Sequence, residues 1–347
     1  MRQLRLIFAA SCLVAWVGGF SRTGLKVTCT VCSRTTRWMA TTDSSSKRPL
    51  NKITSSSNAK IKTIKSLKMK KKRDALQLVV LEGYRHIMDA LDHGLRPNSI
   101  LLTRDAYEST QGLTLSTVAD EQSLPLEMVD DSIFKKELSD TISSQGMVAI
   151  FEKPAKKTEI EIEFSSSSNK APLIVVMDQL ADPGNVGTII RTCYGLGVDA
   201  VINIEGGCDY WNPKVLRSAM GLCLQTKNMP MLELDWDSAH RSIYNAYCAY
   251  ADHVLSSNKT TDTNDREQTA PKKLQILLAD GSASSISHHE VDFERPTVVV
   301  VGNEAWGVSD SASQLEGKDL EAVTDVIRVK INMTRNLESF NAAVAGM

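Results

Sequence analysis

A glycine-rich turn opens the first segment whose residues could do chemistry. The segment Asp182–Thr192 reads DPGNVGTIIRT and directly follows the apolar run Leu173–Met177. Pro and Gly favour a tight turn here, and Asn185 is placed to cap the helix that the next residues predict. Arg191 lies two turns into that helix, facing whatever the loop holds. Because loops after parallel strands bind ligands in open α/β sheets, the segment predicts a binding loop; a capped surface helix is the alternative.

A second segment joins a run of valines to a glycine, an amide and a carboxylate. Val298–Val301 is followed by Gly302, Asn303 and Glu304, and Gly307 comes three residues later. Glycines at a strand end let a ligand approach the backbone closely. A carboxylate there is costly to bury unless it has a partner. The pattern predicts a second ligand loop, but it lacks the GxGxxG spacing of dinucleotide-binding turns.

The third segment lies near the end of the chain. Val329–Met333 predicts a short strand, and a polar loop then leads to a helix that begins near Ser339 and Asn341. The small residues of 342–345 permit close helix packing. Taken alone, the segment is explained equally well by core packing.

Parallel strands and helices are needed to hold these three segments. Apolar runs without alternation are typical of strands buried on both faces. Such runs occur at Leu173–Met177, Ala200–Ile202, Leu274–Leu278 and Thr297–Val301. Helical patterns between them predict a mostly parallel, helix-covered sheet. Gly195 and Gly197 follow a helix and predict a helix stop, and the polar stretch 256–273 predicts a surface insertion.

An earlier region predicts a separate, smaller α/β domain. Its signals are a helix at Ile61–Leu67, a buried run at Leu78–Leu81, a helix at Tyr84–His93 closed by Gly94, and a strand at Ser99–Leu102. A serine-rich polar stretch then predicts a linker. We expect the domains at 46–155 and 172–347, with the linker at 156–171.

Positive charge is concentrated in one stretch although the net charge of the chain is −1. Ser44–Arg73 holds eleven Lys or Arg residues and no acid. Such a surface can release counterions from phosphate, so we expect RNA contacts here; a solvated linker is the alternative. The residues expected to contact RNA are Lys62, Lys70, Lys71, Lys72 and Arg73.

Residues 1–45 have the composition of a targeting presequence. A signal-like apolar core ends near Val17, and a Ser-rich, Arg-bearing, acid-free stretch follows to Thr42. Two-part leaders of this kind favour a plastid, with a mitochondrion as the alternative. The seven cysteines lack the spacing of a disulfide framework, which indicates a reducing compartment, and we take Cys29 and Cys32 as incidental. No later run reaches 18 apolar residues, so we expect no membrane contact in the mature form.

Together and in this order, the three segments resemble the signature motifs of SpoU (TrmH)-type RNA 2′-O-ribose methyltransferases. Those motifs are a strand followed by Asn, Gly and a catalytic Arg, a valine-rich strand followed by Gly-Asn-Glu, and Ile-Pro-Met leading to Ser-Leu-Asn. The run Asn212–Gly221 is similar to a family segment between the first two motifs. Ser57-Asn58, Glu82-Gly83 and Gln145-Gly146 resemble its RNA-binding domain, so the resemblance covers about residues 52–347.

The resemblance implies a small L30e-like α/β RNA-binding domain followed by a parallel-sheet α/β domain with a C-terminal trefoil knot, the SPOUT fold. It implies S-adenosylmethionine as methyl donor, no metal, a homodimer, and an RNA substrate that is ribosomal rather than transfer RNA. The implied catalytic residues are Arg191, Asn185, Glu304, Ser339 and Asn341. The implied donor-binding residues are Gly302, Asn303, Gly307, Ile331, Met333 and Phe340.

The third motif departs from the family pattern at three positions. Asn332 stands where the family usually has Pro, Arg335 where it has Gly, and Phe340 where it has Leu. Arg335 could narrow the donor pocket. The departures keep open a second function, a catalytically weak RNA-binding factor of ribosome assembly.

Overall fold

The computed structural model describes residues 50–139, 144–162, 170–227, 229–259, 270–282, 284–315, 318–333 and 341–346. The presequence expected at 1–45 lies outside the described residues, as do Arg335, Ser339 and Phe340. Within the described ranges, no helix is both long and apolar enough to cross a bilayer. These residues form two β-sheets, of five and seven strands.

The five-stranded sheet is mixed. Its strands are β1 (Lys52–Ile53), β2 (Leu78–Glu82), β3 (Pro97–Leu102), β4 (Leu126–Val129) and β5 (Met147–Glu152). They lie in the order β1-β4-β3-β5-β2. Strands β1, β4 and β3 pair in parallel, whereas β5 runs antiparallel to β3 and β2. The predicted strand beginning at Ser99 starts two residues earlier, and β4 and β5 were not predicted.

Short helices cover this sheet. They are α1 (Ala59–Ser66), α2 (Lys70–Leu76), α3 (Tyr84–Asp92), α4 (Arg104–Glu108), α5 (Thr110–Glu121) and α6 (Asp131–Ile133), followed by a π-helical turn at Phe134–Leu138. Helix α1 begins after the cap Asn58, whose side chain accepts from the N–H of Lys60. Its Ile61 and Ile64 face the core, which confirms the helical spacing. Gly94 has φ +79°, as the predicted helix stop requires.

The seven-stranded sheet is parallel throughout. Its strands are β6 (Leu173–Met177), β7 (Ala200–Ile204), β8 (Met231–Leu234), β9 (Leu274–Ala279), β10 (Ile286–Ser287), β11 (Thr297–Val301) and β12 (Thr324–Lys330). They lie in the order β10-β12-β9-β11-β6-β7-β8, and every neighbouring pair is parallel. The central strands are buried along most of their length because helices cover both faces. The predicted parallel sheet is confirmed.

The first motif forms the start of helix α7 (Pro183–Leu196). The sequence predicted Asn185 as the N-cap of this helix, but the N-cap is Asp182. The carboxylate of Asp182 accepts from the N–H of Asn185 at 2.8 Å. Pro183 explains the difference, because proline favours the first helical position and places Asp182 just before it. The Asn185 side chain is therefore released for other contacts. Gly197, with φ +69°, ends the helix as predicted.

Four further helices belong to the second sheet: α8 (Pro213–Ser218), α9 (Trp236–Lys259), α10 (Lys318–Val323) and α11 (Ala342–Ala345). Helix α9 extends four residues into the predicted insertion 256–273, of which 260–269 lie outside the described residues. The strand predicted at Val329–Met333 is wrong beyond Lys330, because the chain leaves the sheet there. The trefoil knot stays a prediction, since 334–340 lie outside the described residues.

The predicted linker is partly packed against the second sheet. Lys157 forms a parallel bridge with Leu232 of β8. Ile160 is buried, and its N–H donates to Ser242 Oγ at 2.9 Å. The proposed domain ranges 46–155 and 172–347 remain predictions. Of the residues between them, Lys157 and Ile160 bind to the second domain through these contacts.

Candidate active site

The three motifs meet at the carboxyl ends of two adjacent central strands. Strands β6 and β11 pair along their full length, so the loops that follow them lie side by side. Asn185 Nδ2 donates to Glu304 Oε1 at 2.8 Å. Asn341 Nδ2 donates to Asn185 Oδ1 at 2.9 Å. One hydrogen-bond network, Asn341–Asn185–Glu304, thus joins residues that are 156 and 119 positions apart.

The loop of the second motif is held in one shape. The N–H groups of Asn303 and Gly307 each donate to the other's carbonyl at 2.9 Å. The Asn303 side chain accepts from Ala305 N at 2.8 Å and donates to the Gln179 carbonyl at 2.7 Å. A Cβ at Gly302 would lie 2.3 Å from the carbonyl carbon of Gly307, so only glycine fits there. The loop is therefore closed by its own hydrogen bonds, and its backbone at Gly302 packs directly against Gly307.

Glu304 is the charged member of the network. The residue is exposed as a whole, but its carboxylate accepts from Ala181 N at 3.2 Å and Asp182 N at 3.4 Å, besides the Asn185 amide. Partial burial would raise the pKa of Glu304, but these hydrogen bonds outweigh it and lower the pKa below its ordinary value. Glu304 is therefore ionised at neutral pH.

Asp178, which the sequence analysis did not single out, anchors the same loop from below. It directly follows β6 and is 1% exposed. Its carboxylate accepts from Ser309 N at 2.6 Å and from Trp236 Nε1 at 3.3 Å. The available signal was a carboxylate placed straight after a fully apolar strand, which must find donors when buried.

A cavity of about 840 Å³ opens beside the network. Its walls include the predicted donor-binding residues Gly302, Asn303, Gly307, Ile331 and Met333. Glu304 and Asn341 also reach it. The apolar part of the wall includes the strand and helix residues Leu173, Val175, Cys193, Leu277, Val299 and Val301, and Val198 of the turn between α7 and β7. Apolar walls suit a flat heterocycle, the exposed backbone of a glycine loop suits its polar edge, and an ionised carboxylate suits a cationic group.

Charged residues outside the motifs also line this cavity. Asp280 follows β9 and accepts from Arg328 Nη1 at 2.6 Å. Burial would raise the pKa of Asp280, but the Arg328 and Ser282 hydrogen bonds lower it overall. Asn332, at the position where the family has Pro, donates to Ser287 Oγ at 3.1 Å and so ties the third motif to β10. Across the described ranges, no group of three or more His, Cys, Asp or Glu side chains could hold a metal ion.

Arg191 is not among the residues that the described hydrogen bonds join to the network. Its side chain is exposed on α7, and its neighbours Thr192 and Cys193, but not Arg191 itself, are among the described residues lining the cavity. The expectation that it faces the loop's ligand therefore stays a prediction. Ser339 and Phe340, the remaining implied site residues, lie outside the described residues.

Some side chains of the basic stretch are exposed without a described protein partner, whereas others bind acceptors within the protein. Lys62, Lys71 and Lys72 are exposed. Lys70 forms a 2.9 Å ion pair with Glu233, which is the main cause of its raised pKa. Arg73 is buried, with 3% exposure, and its guanidinium contacts protein acceptors. The expectation that Arg73 contacts RNA phosphate is thus corrected, because its donors point into the fold.

Comparison with known proteins places this geometry in a family. The model of the SpoU rRNA Methylase family matches residues 172–234 and 223–347, which is half of the chain. The chain belongs to the SpoU rRNA Methylase family. A second model, the MRM3-like substrate binding domain, matches residues 58–149 and thus most of the first sheet.

Curated relatives agree with this membership. The chain is 30% identical over 286 residues to "rRNA methyltransferase 3A, mitochondrial" of Danio rerio, covering 79% of this chain and 62% of the relative. It is 30% identical over 284 residues to "rRNA methyltransferase 3, mitochondrial" of Mus musculus, covering 77% and 65%. The chain therefore spans slightly less than two thirds of these relatives. It is 25% identical to "23S rRNA (guanosine(2553)-2'-O)-methyltransferase RlmP" of Bacillus subtilis, covering 85% and 96%.

Solved structures share the fold. An rRNA methyltransferase from Sinorhizobium meliloti has a TM-score of 0.59 and 20% identity, covering 86% of this chain and 94% of that one. The SpoU methyltransferase AviRb from Streptomyces viridochromogenes, described as a complex with the cofactor AdoMet, has a TM-score of 0.60 and 22% identity, covering 83% and 94%. The chain therefore shares the mixed α/β architecture of these two solved methyltransferases, including their parallel-sheet domain.

Proposed function

We propose that this protein transfers a methyl group from S-adenosylmethionine to a ribose 2′-hydroxyl of organellar ribosomal RNA. The observation that carries the proposal is the Asn341–Asn185–Glu304 network at the rim of the cavity. Membership of the SpoU family supports methyl transfer to RNA, and the relatives named as rRNA methyltransferases support the RNA class.

The cavity is the proposed donor site. The proposed donor-binding residues Gly302, Asn303, Gly307, Ile331 and Met333 all line it. Phe340 belongs to the same proposed set. When bound, the donor supplies a methyl group on a positively charged sulfur, and the ionised Glu304 at the rim favours that charge. The AdoMet complex of AviRb supports this choice of donor.

Arg191 is the proposed partner of the ribose and its phosphate. A guanidinium keeps its proton at any physiological pH, so it is a poor general base. It can donate to the neighbouring phosphate and stabilise negative charge that develops on the 2′-oxygen. Asn185, Glu304, Ser339 and Asn341 would then orient the ribose relative to Arg191. The network already fixes Asn185 from two sides, which supports this positioning role.

A homodimer completes the proposal. Arg191 is exposed and outside the described cavity lining, which leaves its side chain accessible to RNA or to a second chain. Light scattering on the purified chain measures the mass directly. A monomer at the concentration that supports full activity would contradict the dimer while leaving the proposed chemistry in place.

The proposed substrate contacts are Lys62, Lys71 and Lys72, which are exposed beside the first sheet. Lys70 is shared with Glu233 and is the weaker candidate of the basic stretch. The mitochondrial names of the relatives support an organellar location. A fluorescent fusion of the full chain separates mitochondrion from plastid.

Methyl transfer is tested with the full chain, labelled donor and transcripts of mitochondrial and plastid rRNA. Nuclease digestion and mass spectrometry should find one 2′-O-methyl nucleotide. Arg191→Ala should lose transfer while donor affinity by calorimetry stays unchanged, and Arg241→Ala, an exposed arginine of α9, is the matched control. Full transfer by Arg191→Ala would refute its role. RNA binding without donor binding by the native chain would favour the assembly-factor alternative.

A further inference from the structure

Arg73 occupies a site that is built around its charge. Nη1 donates to the carbonyls of Leu67 at 2.7 Å and Lys68 at 2.8 Å. Nη2 donates to Asp209 Oδ2 at 2.5 Å, and the two side chains are 4% and 10% exposed. A guanidinium cannot shed its charge when buried, so it needs a counter-charge within the fold. Asp209 supplies it from the loop between β7 and α8, 136 positions along the chain.

Asp209 is itself held in place by the turn that starts α8. Its Oδ1 accepts from Trp211 N at 3.0 Å, and its carbonyl accepts from Asn212 N at 3.0 Å. Asn212 then caps α8 by accepting from Lys214 N at 2.9 Å. The carboxylate that pairs with Arg73 is therefore rigidly connected to helix α8.

Other contacts join the first sheet to the same segment. Arg217 Nη1 of α8 lies 3.9 Å from Oε2 of Glu82, at the end of β2. Lys153, which follows β5, places its Nζ 5.7 Å from the centre of the Trp211 ring. The buried core is also continuous, since one cluster includes β2 and β5 residues together with β6 and α8 residues. The first sheet and α8 are one packed unit.

Helix α8 in turn packs closely against the first turns of α7. Ser218 Oγ donates to the Pro183 carbonyl at 3.1 Å. A Cβ at Gly187 would lie 1.8 Å from that same Oγ, so no side chain fits between the helices. Asn185 lies between these two contact points. A shift of α8 would therefore move the Asn341–Asn185–Glu304 network.

We propose that Arg73 and Asp209 are positioning residues that form an interdomain clasp, which sets the distance between the RNA-binding surface and the methyl-transfer site. The clasp would decide which ribose of a bound RNA reaches Arg191. The clasp also gives a structural role to the run Asn212–Gly221, which connects the first sheet to helix α7 of the methyl-transfer site. The selectivity part of this inference rests on the proposed function, whereas the docking part does not.

The test compares Arg73→Met with Lys71→Met, its exposed neighbour in the same basic stretch. Arg73→Met should leave donor affinity and the salt dependence of RNA binding unchanged. Its kcat/KM for RNA should fall on the order of 100-fold through misplacement of the ribose. Methyl groups should also appear on neighbouring nucleotides. Lys71→Met should instead lower the slope of log K against log salt by about 0.7 to 0.9 per phosphate and keep the methylated nucleotide unchanged.

A second variant guards against simple misfolding. Arg73→Leu combined with Asp209→Leu removes both charges, and buried pairs often tolerate apolar replacement. This double variant should stay folded, yet show a broader distance distribution in small-angle scattering and the same loss of site selectivity. If it methylates the native nucleotide at the native rate, the clasp does not position RNA. A reduced salt slope for Arg73→Met would likewise overturn the inference, because it would mean a phosphate contact.

The scattering measurement also separates this inference from the proposed function. If the native chain transfers no methyl group, the proposed function fails. The clasp then still predicts a broader distance distribution for Arg73→Met and for the double variant than for the native chain. Identical profiles for the three proteins would overturn it.

Discussion

Asn185→Asp changes the charge of the network while keeping its shape. The substitution replaces the donor amide, 2.8 Å from Glu304 Oε1, by a carboxylate oxygen. The backbone N–H of Asn185 still donates to Asp182, and the Asn341 amide keeps an acceptor. The variant therefore tests electrostatics without altering the cap or the packing.

The size of the effect follows from the distance. Two unit charges 2.8 Å apart repel by about 1.5 kcal/mol at a water-like dielectric constant and by about 6 kcal/mol at a dielectric constant of about 20. Because Asn185 is buried while Glu304 is exposed as a whole, the repulsion lies between these two values. Loss of the Asn185–Glu304 hydrogen bond adds about 1 kcal/mol. We expect the free energy of unfolding to fall by about 3 to 7 kcal/mol at pH 8.

The pH dependence has a definite sign. In the native chain the pKa of Glu304 is lowered, so its stabilising contribution is present above its unfolded pKa and is lost as pH falls through the folded pKa. In Asn185→Asp the repulsion raises the pKa of the carboxylate pair. The penalty is then full at pH values above that raised pKa. It shrinks as the folded pair takes up one shared proton, because a single proton removes the repulsion, and it is gone near the unfolded pKa. The difference between variant and native chain should shrink steadily from pH 8 to pH 4.

Urea unfolding followed by circular dichroism at several pH values measures this difference. Asn58→Asp is the matched control, because Asn58 caps α1 and aspartate caps equally well. It should change stability little at any pH. An Asn185→Asp variant that is destabilised equally at pH 8 and pH 4 would refute the electrostatic reasoning. Methyl transfer measured on the same samples should fall at pH 8 in parallel.

Three further outcomes are expected. Gly187→Ala should lower the free energy of unfolding by about 1 to 3 kcal/mol, because the new Cβ overlaps Ser218 Oγ, and adding Ser218→Gly should restore part of the lost stability. Denaturant midpoints measure both changes, and full stability of the single variant would contradict the close packing of the two helices. Asp178→Asn should cost about 1 to 3 kcal/mol and weaken donor binding measured by calorimetry, since it removes the charge that anchors the second-motif loop; unchanged donor affinity would show that the loop holds without it. Burial raises the pKa of Cys193 and of Cys223 to about 12, so neither should react with iodoacetamide at pH 8 until denaturant is added, as peptide mass spectrometry would show; rapid labelling of the native chain would contradict their burial.

Local sequence patterns determined the architecture of the second sheet and the three loops. Uninterrupted apolar runs specify strands buried on both faces, and such strands pair in parallel when helices connect them. The carboxyl ends of neighbouring parallel strands lie on one edge, so the residues after Met177 and Val301 had to meet. Asn185 and Glu304 were predicted as site residues through the resemblance to the SpoU motifs, and this strand geometry explains why those motifs meet. Strand β4, Leu126–Val129, is too short and too polar to show a pattern. Strand β5 begins with an uninterrupted apolar run, Met147–Phe151, so its signal was present in the sequence although no strand was predicted there.

Only the tertiary structure decided which polar residues pair with which. Arg73 stands in the same basic stretch as Lys71 and Lys72, yet it is buried against Asp209 while the lysines are exposed. The position of Asp178 after a strand did not indicate its partner, because the Ser309 N–H that donates to it lies 131 positions later in the chain. The physical reason is that periodicity and turn preferences act between residues close in sequence, whereas the cost of burying a charge depends on partners brought near by the fold.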